Sequence, residues 1–306
     1  STQAKTLFPY TTLFRSRVMS FGEFFALVRR HPERHTRGAA QYLKDVFDHF
    51  GTSEVQTPRG PQTRYLLFDC PFAGGKDRLI GQEEVQGRVY RAVSNFVRDG
   101  RISKLIMLHG PNGSAKSTFV SCLMRAMEHY STLEEGALYR FNWIFPSQKL
   151  TRGGIGFGGA GEGGAPPLDD SFAHLDDDQI DVKLMDETHD HPLLLLPQQR
   201  RQQLLDEVTR GGKGGRVADY LYHGDLSPRN KDIFEALLQS YKGDFLKVLR
   251  HVQVERFYVS RRYRRGVATV EPQMSVDAGA QQITADRSLS ALPSALQALS
   301  MISFGG

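Results

Sequence analysis

Between Gln82 and Asp99 the apolar residues Val85, Val89, Val93, Phe96 and Val97 recur at spacings of three and four, which puts them on one face of a helix. From Lys116 to Tyr130 the same spacing returns at Phe119, Val120, Leu123, Met124 and Met127, predicting a second helix. Between the two, Lys104, Leu105, Ile106, Met107 and Leu108 form a short apolar run that reads as a buried strand. Residues 140–145 read as another strand. Strand, glycine-rich loop, helix and strand in that order predict a βαβ unit, and hence a parallel sheet with helices on its faces. Nearer the start, Ser20 followed three residues later by Glu23 is the pattern of a capping box. It opens an apolar helix through Phe24, Leu27 and Val28. Residues 17–78 read as a small helical N-terminal region that closes in the turn-rich stretch from Pro71 to Gly75. Residues 231–249 read as a helix with Phe234, Leu237, Leu238 and Tyr241 on one face, and residues 252–276 alternate as a β-hairpin does. Residues 153–167 are glycine-rich and too poor in bulky side chains to order themselves, so a mobile loop is expected there.

The loop between the expected strand and the second helix carries the clearest chemistry. It comprises Gly110, Pro111, Asn112, Gly113, Ser114, Ala115, Lys116, Ser117 and Thr118. This is a phosphate-cradling pattern in the context it requires, after a strand and opening a helix. Glycines let backbone N–H groups turn inward toward anionic oxygens, and the helix N-terminus adds unpaired N–H groups and partial positive charge. Lys116 is the residue expected to reach the β- and γ-phosphates of ATP, and Ser117 to place its hydroxyl on Mg²⁺. One position departs from the pattern. Ala115 stands where a glycine is usual, and the reading is that φ is negative there, so that alanine fits.

Composition adds limits rather than direction. Of 306 residues, 40% are apolar and 24% charged, within the range of globular proteins. No run has the length of a membrane helix, and the start lacks a secretory signal pattern. Cys70 and Cys122 are the only cysteines, so there is no disulfide framework, and a cytoplasmic setting is expected. The net charge of +5 is a mild excess that reads as a solvated surface, and nucleic acid is not expected as a partner. Residues 1–16 are similar to a translated sequencing adapter and are set aside as non-native, with a natural start near Met19. The end at Gly306 is expected to be a truncation.

The blocks G-P-N-G-S-A-K-S-T-F-V at 110–120, L-I-G-Q-E-E-V-Q at 79–86 and G-A-L-Y-R-F-N-W-I-F-P at 136–146 resemble the AAA+ ATPase domain of PrkA-type bacterial serine protein kinases. So do D-H-P-L-L-L-L-P at 190–197, H-V-Q-V-E-R-F-Y-V-S-R-R-Y at 251–263 and E-P-Q-M-S-V-D-A at 271–278. The resemblance implies a three-layer α/β P-loop NTPase of AAA+ type over residues 79–306, with a parallel sheet and a β-hairpin insertion. It also implies that Leu79, Ile80 and Gly81 contact adenine, and that residues 110–118 hold the phosphates. ATP and Mg²⁺ as cofactors, a protein substrate and a ring-forming homo-oligomer follow from it. The expected function is ATP binding coupled to phosphorylation or regulation of protein substrates. The alternative is a protein-remodelling ATPase without kinase activity.

Four other patterns invite chemistry. Asp186 and Glu187, after residues 181–185, imitate the apolar strand and acidic pair that hold Mg²⁺ and orient water. Lys183 interrupts what should be a continuous buried run, so a solvated acidic segment is the preferred reading. His223, Asp225 and Asn230 imitate a eukaryotic-type kinase catalytic loop, but its companion motifs are missing and coincidence is preferred. His189, Asp190 and His191 are adjacent and precede Pro192, which suits a loop better than a metal site. Arg256, Arg261, Arg262, Arg264 and Arg265, interleaved with aromatics, suit packing, surface or a subunit contact better than a nucleic-acid grip.

Overall fold

The computed structural model describes residues 18–58, 60–102, 104–147, 171–210 and 217–269. The adapter-like segment, the glycine-rich stretch at 153–167, the block at 271–278 and the far arm of the expected hairpin lie outside the described residues. The chain enters through β1 (Val18–Ser20) and turns at once into α1 (Phe21–Arg30). The capping box forms as expected. The Ser20 N–H donates to the Glu23 carboxylate at 2.6 Å, and the Glu23 N–H donates to Ser20 Oγ at 3.2 Å. A short turn of helix, α2 (Pro32–His35), leads to α3 (Ala39–Phe50). Then follow an antiparallel hairpin of β2 (Thr52–Thr57) and β3 (Gly60–Tyr65), and two 3-10 turns, Leu66–Asp69 and Pro71–Ala73. The two long helices predicted by periodicity are α4 (Glu83–Asp99) and α5 (Lys116–Thr132).

The sheet departs from expectation. Its order is β1-β6-β4-β5, with β4 at Leu138–Pro146, β5 at Ile180–Met185 and β6 at Val252–Phe257, and every neighbouring pair is antiparallel. The parallel three-layer sheet of an AAA+ P-loop NTPase is therefore not what this chain forms. The physical reason lies in pairing. Residues 104–108 adopt no strand, and Leu105 and Met107 are 48% and 71% exposed. Without that strand in a ladder no βαβ crossover closes, and β4 takes antiparallel neighbours instead. The composition of β4 suits such a sheet. Tyr139, Phe141 and Trp143 point into one core, whereas Arg140 and Asn142 on the other face are buried but polar. Glu255 of β6 serves both, accepting from Asn142 Nδ2 at 2.8 Å and pairing with Arg140 at 3.5 Å.

The second half of the chain supplies α6 (Gln198–Arg210), α7 (Asp219–His223), α8 (Pro228–Ser240) and α9 (Phe245–Leu249). The single helix expected over 231–249 is thus two, broken where Lys242 and Gly243 take positive φ. The expected hairpin from 252 is also corrected. β6 pairs with β1 and β4, and the chain then closes a tight turn through a bridge between Ser260 and Arg265. Two apolar cores result. One joins α3, the 3-10 turns, α4 and α5 through Phe47, Phe68, Val93, Phe119 and Leu123. The other joins α1, the sheet and α6–α8 through Phe24, Phe141, Trp143, Leu193 and Leu205.

Candidate functional site

Residues 110–115 form a loop that wraps the ammonium group of Lys116. Lys116 Nζ donates to the carbonyls of Gly110 at 2.7 Å and Pro111 at 2.8 Å, and lies 3.3 Å from Ser114 Oγ. The loop is tight. A Cβ on Gly110 would meet Ser114 Oγ at 2.8 Å, so a larger residue there would displace the Ser114 side chain. Gly113 has φ +80° in the turn that follows. α5 begins at Lys116 with no side-chain cap and no acidic residue in its first turn. Its first amides have no partner within the helix, so the end is left with donors and positive potential facing the loop. Ser117 is exposed there and Thr118 half-buried.

Ala115 does not take the negative φ expected of it. Its backbone is left-handed, with φ 61° and ψ 22°, and it accepts the Phe119 N–H at 2.9 Å as the helix N-cap. Closing the loop onto the helix demands this conformation, in which an L-residue's Cβ crowds its own carbonyl. That is the physical sense of the usual glycine.

The segment ahead of α4 is held by two residues that periodicity did not single out. Arg64 donates from Nη2 to the Leu79 carbonyl at 2.9 Å and from Nη1 to Glu83 at 2.8 Å, and is paired with Asp69 as well. Gln86, fully buried, accepts the Tyr65 N–H at 3.0 Å and donates to the Gly81 carbonyl at 3.1 Å. Leu79 is buried in the core beneath α5, Ile80 is 73% exposed, and Gly81 has φ +79°.

A cavity of about 690 Å³ opens between α4, residues 104–109 and the start of α5. Gln82, Val85, Phe96, Leu108 and Phe119 contribute to its walls, and Ser114, Ala115 and Lys116 form its end at the loop. Arg88, Arg98, Lys104 and Lys116 also line it, against Asp99 as the one carboxylate among the described lining residues. Leu79, Ile80 and Gly81 are not part of this lining, whereas their neighbour Gln82 is. The mixture of apolar wall and cationic rim suits a ligand with a flat, weakly polar part and an anionic tail.

The other patterns resolve into structure. Lys183 is accommodated because β5 is an exposed edge strand in an antiparallel sheet, not a buried parallel one. Asp186 is not solvated as expected but buried. Its carboxylate accepts from the Thr188 amide at 3.0 Å and the Asp190 amide at 2.6 Å, and burial raises its pKa. Glu187 is exposed. Asn230 accepts the Trp143 indole N–H at 3.0 Å and donates to Asp190 at 2.8 Å, while Asp225 pairs with Lys231 at 2.7 Å. The resemblance of 223–230 to a kinase loop thus falls on a packing network. His191 Nε2–H donates to the His35 carbonyl at 2.9 Å, and its Nδ1 accepts the Leu193 N–H at 3.2 Å. Among the described residues no group of three or more His, Cys, Asp or Glu is placed to hold a metal ion. Arg256 is buried and donates to the carbonyls of Ser131 and Leu133, and Arg261 reaches Ser121 Oγ at 2.9 Å, so both dock on α5. Arg262, Arg264 and Arg265 are exposed beside Tyr263.

Comparison with protein-family models, curated proteins and solved structures finds no match. Among the described residues no helix is long and apolar enough to cross a membrane.

Proposed function

We propose that this chain binds Mg-ATP, with residues 110–118 around the phosphates. The observation that carries the reading is the loop closed around Lys116 at the uncapped start of α5, opening on a cavity with a cationic rim. Lys116 exchanges its loop carbonyls for β- and γ-phosphate oxygens. The first-turn amides of α5 donate to the same anion. Ser117, exposed on that turn, is the residue to hold Mg²⁺, which when bound neutralises phosphate charge. The residues fit the group: no side chain caps the helix, and no acidic residue of its first turn opposes an anion. The resemblance to PrkA-type kinases extends the proposal to regulation or phosphorylation of a protein substrate by a homo-oligomer.

The test is Mg-ATP binding to wild type and Lys116→Ala by calorimetry or a fluorescent analogue. Affinity in the variant falls at least tenfold, while the protein remains folded at the assay temperature as judged by its unfolding midpoint. Equal affinity in the two proteins overturns the assignment.

A further inference from the structure

Cys70 and Cys122 are the chain's only cysteines. They are 52 positions apart in sequence, yet their sulfurs are 3.4 Å apart and both residues are fully buried. Cys70 sits between the two 3-10 turns with φ 50°, at the start of the loop that runs to Gly81. Cys122 lies on α5, about 9 Å along the helix axis from Lys116. Both sulfurs face the Asp77 carbonyl, at 3.9 and 3.5 Å, and Arg125 of α5 holds the same loop through the Lys76 carbonyl at 3.2 Å.

We propose that Cys70 and Cys122 form a reversible intramolecular disulfide that ties residues 66–81 to the phosphate-loop helix. Either thiolate attacks one oxygen of a peroxide, which breaks the O–O bond, releases water after protonation and leaves a sulfenic acid. The second thiol attacks that sulfur, the S–S bond forms, and a second water leaves. Two thiols and one hydrogen peroxide thus give one disulfide and two waters, the two electrons passing from sulfur to oxygen. Burial pushes the Cys122 thiol up to about 12, so the closed loop keeps the pair reduced and unreactive. Attack on peroxide proceeds when the short 3-10 turns open locally, and reclosure brings the two sulfurs back together.

The full chain is reduced, treated with hydrogen peroxide, denatured, alkylated and weighed. The expected product is monomeric, unalkylated and lighter than the reduced protein by two hydrogens, and it yields a peptide joining Cys70 to Cys122 that dithiothreitol separates. Cys122→Ser under the same treatment gives no such peptide. Hydrogen exchange across residues 70–81 slows at least tenfold in the oxidised protein and recovers on reduction. Two alkylated thiols, sulfinic acid without a link, or covalent dimers overturn the pairing. A linked peptide with unchanged exchange overturns the tether. None of these readouts involves nucleotide, so they stand or fall apart from ATP binding.

Discussion

Ala115→Gly is the most discriminating single substitution in the loop, because its sign depends on one backbone angle. Ala115 is held at φ 61° by the closure of the loop onto α5. A left-handed conformation costs an L-residue about 1–2 kcal/mol, which glycine escapes. Glycine in turn makes the unfolded chain more flexible, which costs about 0.4–1 kcal/mol. The net expectation is a gain of about 0–1.6 kcal/mol, centred near 0.8. Had Ala115 the negative φ read from its place at the helix start, the same change would instead lose up to about 1 kcal/mol. Urea unfolding followed by circular dichroism separates the two. The midpoint rises with unchanged slope in Ala115→Gly and falls in Ala115→Val, whose branched Cβ tolerates this backbone worst. A lower midpoint for the glycine variant refutes the reasoning. Since the substitution keeps the backbone that the loop already has, Mg-ATP affinity is retained or improved.

Two further substitutions test the second core. His191 is wired as a neutral ring, and burial lowers its pKa to about 4 from an ordinary 6.5. Between those values the unfolded chain takes up a proton that the native state refuses, so the stability is whole above about pH 6.5 and lost as pH falls toward about 4, on the order of 1–3 kcal/mol. His191→Gln therefore unfolds with a shallower pH dependence across that window in urea melts, and an unchanged slope contradicts the wiring. Arg201, 2% exposed, donates to the carbonyls of Leu194, Leu196, Leu221 and Gly224. Arg201→Met leaves those acceptors buried and unpaired, which lowers stability by about 3–5 kcal/mol in the same melts, whereas a loss below about 1 kcal/mol shows that the carbonyls find other partners.

Helices were legible where apolar residues mark the buried face. α4 and α5 follow from their three- and four-residue spacings, and the α1 capping box follows from Ser20 and Glu23. α6 was passed over because Arg201, deep in the core, occupies a position where an apolar residue would have marked the face. The loop at 110–115 was legible as a tight turn into α5, since glycine spacing and lysine are local properties of the chain. The supports of the candidate site were not. Arg64 and Gln86 lie on other elements and act through side-chain hydrogen bonds and ion pairs, which leave no period to detect. The φ of Ala115 does not follow from its place at the helix start, because loop closure imposes the angle.

The sheet differs from expectation because the apolar run at 104–108 forms no strand and leaves Leu105 and Met107 exposed, so β4 has no parallel neighbour there. Residues 139–143 nevertheless held a usable signal. They alternate Tyr, Arg, Phe, Asn and Trp, and a strand buried between helices in a parallel sheet has no use for Arg140 and Asn142 on its second face. Their partner, Glu255, stands across the ladder on β6, where Arg140 pairs with Glu255 in register. Residues 110–118 still form a loop and the start of α5, although the strand expected ahead of them is absent. The loop closes through its own carbonyls onto Lys116, and α5 is fixed chiefly by Phe68, Val93 and Phe119 in the first core, to which the sheet adds Leu138 of β4 and the hydrogen bond from Arg256 of β6 to the Ser131 carbonyl. The proposed ATP site therefore rests on a loop, a helix and the core beneath them. Substitutions confined to the polar face of β4 should consequently move stability without moving nucleotide affinity beyond what unfolding accounts for.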